Sequence, residues 1–223
     1  MRGSIDGKFC EMKKLLWCGG SHLGGAMNTI KTLFSDHYNE YYITAAPVNR
    51  DWSVVGGRYF VDGSVVGNNA QEPDRRINLD DFDHIIFVGQ YIQPQRYVQS
   101  SQLLSSSLLD AILERDDLFM RLPGGIFNEP ISLFPRIAKD KCVLLCDPWT
   151  RSNNLPIRFM ERFAERLSDY CAENKMLLLF QPESTLEGKF STHYRFSRSE
   201  NDDMHFNDEF WRLYVQDLRI KIN

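Results

Sequence analysis

The chain has no apolar run approaching the roughly 20 residues that a membrane-spanning helix needs, so no membrane span is expected. Residues 1–7 are small and polar, and the apolar piece at 15–18 is too short for the hydrophobic stretch of a secretory leader. Positive charge is not massed in any block, and the net charge is −4, which argues against nucleic acid as a partner. Cysteine is sparse and its count of five is odd, with irregular spacing, so a disulfide framework is not expected. Cys142 and Cys146 share one apolar run and suit small buried residues better than metal ligands. No metal site and no cofactor are expected, and a reducing, cytoplasmic setting follows from the cysteine usage. Internal repeats, low-complexity tracts and linkers are also missing. One domain is expected over residues 12–223, with residues 1–11 as an N-terminal tail outside it.

What the chain does have is 43% hydrophobic residues against 25% charged, enough for one sizeable core within 223 residues. Its apolar runs are short and continuous: residues 15–18, 41–46, 84–88 with an extension to 92, 142–146 and 176–180. Continuous rather than alternating runs mark strands buried on both faces of a parallel sheet. Between them lie helical periodicities. Leu23, Met27, Ile30 and Phe34 share one face; Leu103, Leu104, Leu108, Ile112 and Leu113 another, within residues 99–119. Phe159, Phe163, Leu167 and Tyr170 make a third, and Phe210, Leu213, Tyr214 and Leu218 a fourth. Alternating strand and helix predicts an α/β layered domain. Residues 49–80 interrupt the rhythm, with a hairpin expected around Gly56-Gly57, and residues 121–139 read as a long surface excursion.

Two motifs carry chemistry. Gly19-Gly20-Ser21 follows the first strand and opens the first helix. Glycines permit a sharp turn, and the serine then sits at the carboxyl edge of the sheet beside free helix N–H groups. Ser21 reads either as a helix N-cap or as a nucleophile; a phosphate loop lacks its lysine here. Near the other end, Asp202 stands three residues before His205 at the mouth of the last helix. That spacing lets the carboxylate reach the imidazole and fix its tautomer. The rival reading makes Asp202 or Asp203 a helix cap. His22, His37, His84 and His193 have no partner at a telling spacing and read as bystanders.

On these two motifs the chain resembles the SGNH hydrolase superfamily, the GDSL-like lipases and esterases. The first family block, a Gly-Asp-Ser turn, stands here as Gly19-Gly20-Ser21-His22-Leu23, with glycine for aspartate. The last, Asp-x-x-His, stands as Asp202-Asp203-Met204-His205. The resemblance covers roughly residues 13–219 and implies a three-layer α/β/α sandwich with a five-stranded parallel sheet, flavodoxin-like in course. It implies Ser21 as nucleophile, His205 as base and Asp202 as its partner. The family's third block, Gly-x-Asn-Asp, departs here to Gly89-Gln90-Tyr91-Ile92. The oxyanion donors it implies are the Ser21 N–H, one loop glycine among Gly56, Gly57 and Gly67, and Gly89, Gln90 or Tyr91.

The function so implied is a serine-dependent ester hydrolase or O-acyltransferase. Its partner is a small-molecule acyl ester or an acylated carbohydrate. Trp149 and Arg151 follow the fourth strand and are candidate substrate-binding residues. The alternative is a ligand-binding domain that keeps the fold without turnover, motivated by the altered third block. A flavodoxin-like nucleotide binder would share the strand order.

Overall fold

The structure is a computed structural model. It describes residues 12–43, 52–55, 58–63, 66–67, 75–90, 107, 111, 114–115, 139–151 and 155–222. Strand β1 (Lys13–Gly19) leads into helix α1 (Ser21–Phe34) and strand β2 (Tyr38–Ile43). There follow β3 (Trp52–Val55), β4 (Arg58–Gly63), β5 (Val66–Gly67), β6 (Arg75–Asn78) and β7 (His84–Val88). The chain ends with β8 (Cys142–Leu145), α2 (Ile157–Glu173), β9 (Leu177–Leu179) and α3 (Asp208–Ile222).

The main sheet runs β5-β2-β1-β7-β8-β9. The five strands from β2 to β9 are mutually parallel, and the two-residue β5 adds an antiparallel edge that the sequence did not predict. The expected hairpin around Gly56-Gly57 is β3 with β4, paired from Val55–Arg58 outward, and β6 completes a small antiparallel sheet. The excursion at 121–138 and nearly all of the helix expected over 99–119 lie outside the described residues.

The continuous apolar runs are explained by burial on both sides. Leu15 and Trp17 of β1 pack with α1 and α3, through Leu23, Ile30, Phe210 and Trp211. Leu16 and Cys18, one residue out of phase, pack with α2 through Phe159, Phe163 and Leu167. Successive strand residues point to opposite faces, so each run must be apolar throughout. Each fully buried Leu or Phe contributes about 1.5–3 kcal/mol. Cys18, Cys142, Cys146 and Cys171 are buried free thiols within this packing, and burial pushes the Cys18 thiol well up.

Strand β2 begins three residues before the apolar run at Tyr41. Asn39 and Glu40 hid its start, because Glu40 is a carboxylate buried as deeply as the core. The strand order reverses between β1 and β7: the chain leaves β1 for β2 on one side and returns to β7 on the other. In open α/β sheets a crevice forms at the carboxyl ends of such a strand pair, here at Gly19 and Val88.

Candidate active site

Gly19 closes β1 where nothing larger fits. A Cβ there would stand 2.7 Å from the Leu23 Cβ and 2.8 Å from the Val88 carbonyl oxygen. The close approach brings α1 directly over the β1–β7 crevice. Gly20 precedes the helix and provides no side-chain cap; the first intrahelical bond runs from the Gly24 N–H to the Gly20 carbonyl. The N–H groups before Gly24 therefore lack intrahelical acceptors and carry the positive end of the helix dipole. Ser21, the first helical residue, is exposed at this edge, and the cap reading is filled by Gly20 instead.

Asp202 organises the turn that follows residue 199. One of its carboxylate oxygens accepts from the backbone N–H of Met204 at 3.1 Å and of His205 at 2.9 Å. The other lies 3.0 Å from Nδ1 of the His205 ring. Partial burial pushes the Asp202 carboxyl upward, but the two N–H donors and the His205 ring outweigh it and hold the group below its usual value. With Nδ1 donating to Asp202, Nε2 of His205 is left as the basic nitrogen, and it has no hydrogen-bond partner among the described residues. The His205 side chain is 39% exposed, so the ring is accessible from solvent.

The same turn is tied down from outside. A bridge between Ser197 and Phe206 closes its base. Asn207 then caps α3, its side-chain oxygen accepting from the Phe210 N–H at 3.1 Å. Tyr214 anchors that helix by donating, in a bifurcated bond, to the carbonyls of Cys146 and Leu179 at the ends of β8 and β9.

The two ends of the chain meet through His22, the residue after Ser21. Its Nε2 lies 2.9 Å from the carbonyl oxygen of Met204, the residue before His205. The His22 and His205 rings stand edge to face, 5.9 Å between centroids. The other nitrogen of His22, Nδ1, lies 2.8 Å from an oxygen of Asp147, which follows β8. Spacing in the sequence made His22 a bystander; it is instead buried and engaged at both nitrogens, with a partner 125 residues away. Gly89 makes the room for this pair. Its φ is +75°, and a Cβ there would stand 2.7 Å from the Asp147 carboxylate oxygen and 3.0 Å from Nδ1 of His22.

The remaining candidates fall out differently. The Gly89 N–H is spent on the Leu145 carbonyl at 3.0 Å. Gln90, at φ +83°, directs its side-chain nitrogen to the carbonyls of Cys18 and Val88, at 3.1 and 3.3 Å. Carbonyls only accept, so both amide N–H groups of Gln90 are engaged, and its buried side-chain oxygen has no partner among the described residues. Gly57 and Tyr91 lie outside the described residues. Trp149 is a core residue, stacked on Phe180 and packed against Phe163 and Phe190. It backs a cleft of about 420 Å³ bounded by Ala164 of α2 and the loop through Lys189, which none of Ser21, His22, Asp202 or His205 lines. Arg151 is drawn into the turn itself: its Nε pairs with Asp203 at 3.1 Å and its NH2 group donates to the Glu200 carbonyl at 2.9 Å. Asp203, the rival acid, is thereby committed to Arg151 rather than to His205.

No family model matches the chain, and no curated protein matches it. Among solved structures, it is similar to the crystal structure of a candidate acylhydrolase from Bacteroides fragilis NCTC 9343. The identity is 13% and the TM-score 0.46, over 94% of this chain and 88% of the other.

Proposed function

We propose that the chain is a serine-dependent ester hydrolase or O-acyltransferase of the SGNH type, built as a three-layer α/β/α sandwich, with Ser21 as nucleophile, His205 as base and Asp202 as its partner. The observation that carries this reading is the meeting of the Ser21 turn with the Asp202–His205 turn at the β1–β7 crevice, through the His22–Met204 bond and the His22–His205 ring contact. An exposed hydroxyl, an imidazole with its far nitrogen open and a carboxylate fixing its near nitrogen are the parts that acyl transfer needs. Ser21 makes no hydrogen bond among the described residues, and such bonds often tighten only when substrate is bound.

In this mechanism the Ser21 Oγ bonds to the ester carbonyl carbon as its proton passes to Nε2 of His205. The resulting oxyanion leans on the N–H groups at the start of α1. Collapse breaks the ester C–O bond, and the departing alcohol takes the proton from His205. Water, or a sugar hydroxyl in a transferase, then attacks the acyl-serine, returns a proton through His205 and frees Ser21. The substrate is a small acyl ester or an acylated carbohydrate, and the chemistry itself calls for no cofactor.

One observation favours a second reading, a ligand-binding domain without turnover. Both N–H groups of the Gln90 amide and the N–H of Gly89 are already bonded, so these donors are not offered to an oxyanion. Removing one oxyanion donor typically costs about 100- to 1,000-fold in rate. Exposure to a fluorophosphonate, followed by intact-mass spectrometry, separates the readings. A single adduct on the wild type, absent from Ser21→Ala, is expected. A folded wild type that takes up no adduct sinks the nucleophile assignment and leaves the binding domain.

A further inference from the structure

We propose that His22 and Asp147 are a positioning pair that fixes the Asp202–His205 turn against the start of α1 and so sets where the His205 ring stands relative to Ser21; this rests on the reading of Ser21 and His205 just given. Ser21 and His22 are neighbours in the chain, and so are Met204 and His205. The single bond from His22 Nε2–H to the Met204 carbonyl therefore bridges the residue next to the nucleophile and the residue next to the base.

The donors and acceptors fix the tautomer. The Met204 carbonyl only accepts, so Nε2 of His22 carries a proton. One further proton lies between Nδ1 and the Asp147 oxygen, at 2.8 Å. Asp147 thus keeps the ring oriented with its Nε2–H toward Met204, as a carboxylate beside a functional imidazole does. The pair is inside the protein: side-chain exposure is 9% for His22 and 1% for Asp147. Three elements enclose it. Trp211 of α3 packs on the His22 ring at 5.9 Å, Gly89 leaves room for the pair and for nothing more, and Asp147 lies two residues past the end of β8. Arg151 also holds the turn, but from the surface, with its side chain and that of Asp203 each about a third exposed, where ion pairs contribute little.

The test compares wild type, His22→Leu and His22→Gln. Leu keeps bulk without a donor, whereas Gln carries an N–H that can reach the Met204 carbonyl. Hydrolysis of p-nitrophenyl acetate supplies kcat and KM, thermal unfolding reports folding, and amide hydrogen exchange at Met204 and His205 reads the turn directly, since both N–H groups bond to Asp202. Small displacements of a base cost about 100-fold in rate. Expected for His22→Leu is a kcat about 100-fold lower at nearly constant KM, with faster exchange at Met204 and His205. His22→Gln recovers at least tenfold of the lost kcat and slows that exchange. A folded His22→Leu with wild-type kcat and wild-type exchange overturns the proposal, as does a folded His22→Gln no better than His22→Leu. If His22→Leu does not fold, Asp147→Asn and His22→Gln take its place: kcat that follows exchange at the turn sustains the proposal, and kcat indifferent to it overturns it. If the wild type itself neither turns over ester nor takes up a fluorophosphonate, the enzyme reading fails, and the exchange comparison alone decides whether the pair holds the turn.

Discussion

His205 and Asp202 stand three residues apart on a half-exposed turn, whereas His22 and Asp147 stand 125 residues apart inside the protein. Both are a histidine on an aspartate at about 3 Å. In the outer pair one ring nitrogen is held and the other is open, which is the condition for moving a proton to and from a substrate. In the inner pair both nitrogens are bonded to protein atoms, so neither is offered to a substrate, and the ring serves as a strut. On the proposed reading, pairing alone does not mark the base; a second nitrogen left for the substrate does.

The largest expected effect breaks the outer pair. If the proposed function holds, His205→Gln removes the open nitrogen and lowers kcat toward acyl esters by about 10⁴-fold or more, the scale of losing a triad member. Because the ring is 39% exposed, its thermal midpoint should barely move. Parallel losses of activity and stability would mean that His205 is a structural residue and that the contrast between the pairs is mistaken.

Breaking the inner pair should give the reverse pattern, a loss of stability first. Gly89→Ala places a Cβ 2.7 Å from the Asp147 oxygen in a backbone conformation, φ +75°, that side chains rarely adopt. Either the pair parts or the strand end shifts, and leaving a buried hydrogen-bonding group without its partner costs about 1–3 kcal/mol. Urea unfolding should register a loss of that order. A Gly89→Ala protein as stable as the wild type would show that the crevice has slack there, and that the inner pair is no rigid strut.

The sequence was informative where contacts are local and silent where they are not. Continuous apolar runs located the five parallel strands, because burial on both faces forbids alternation. The Asp202–His205 contact was legible because a carboxylate three residues before a ring reaches it within one turn. The hairpin was legible from Gly56-Gly57 between two β-rich stretches. Asp147 looked like an ordinary residue after a strand, and His22 like a passenger of the serine. Only the strand order brings β8 beside β7, and so Asp147 within reach of His22. Trp149 and Arg151 were placed correctly near a strand end, but the direction of each side chain is set by what packs around it. For Trp149 that is an aromatic cluster, and for Arg151 the carboxylate of Asp203. Gln90 could not be foreseen either, since its φ of +83° turns the amide back on β1 and β7.

Glu40 provides the control for the inner pair, a buried carboxylate with no histidine. It lies on β2 opposite Leu15 and is 1% exposed. Burial pushes its pKa up to about 7, with Tyr42 and Lys31 pulling the other way. The unfolded chain ionises this group near 4.5, so between the two values the folded protein holds a proton that the unfolded one has lost. Stability from this group is therefore greatest below about pH 4.5, falls as pH rises, and is fully lost above about 7. Glu40→Gln, which copies the protonated form, should be nearly neutral at pH 4.5 and stabilising by at most about 3 kcal/mol at pH 8, at 1.36 kcal/mol per pKa unit. Urea unfolding at the two pH values measures it, and an equal gain at both would mean that the carboxyl does not titrate in this window. Asp147 is buried almost as deeply, but an imidazole nitrogen stands 2.8 Å from its carboxylate. For Glu40 the hydroxyl of Tyr42 and the ammonium of Lys31 offset only part of the cost of burial, which is why the carboxyl is held above its usual value.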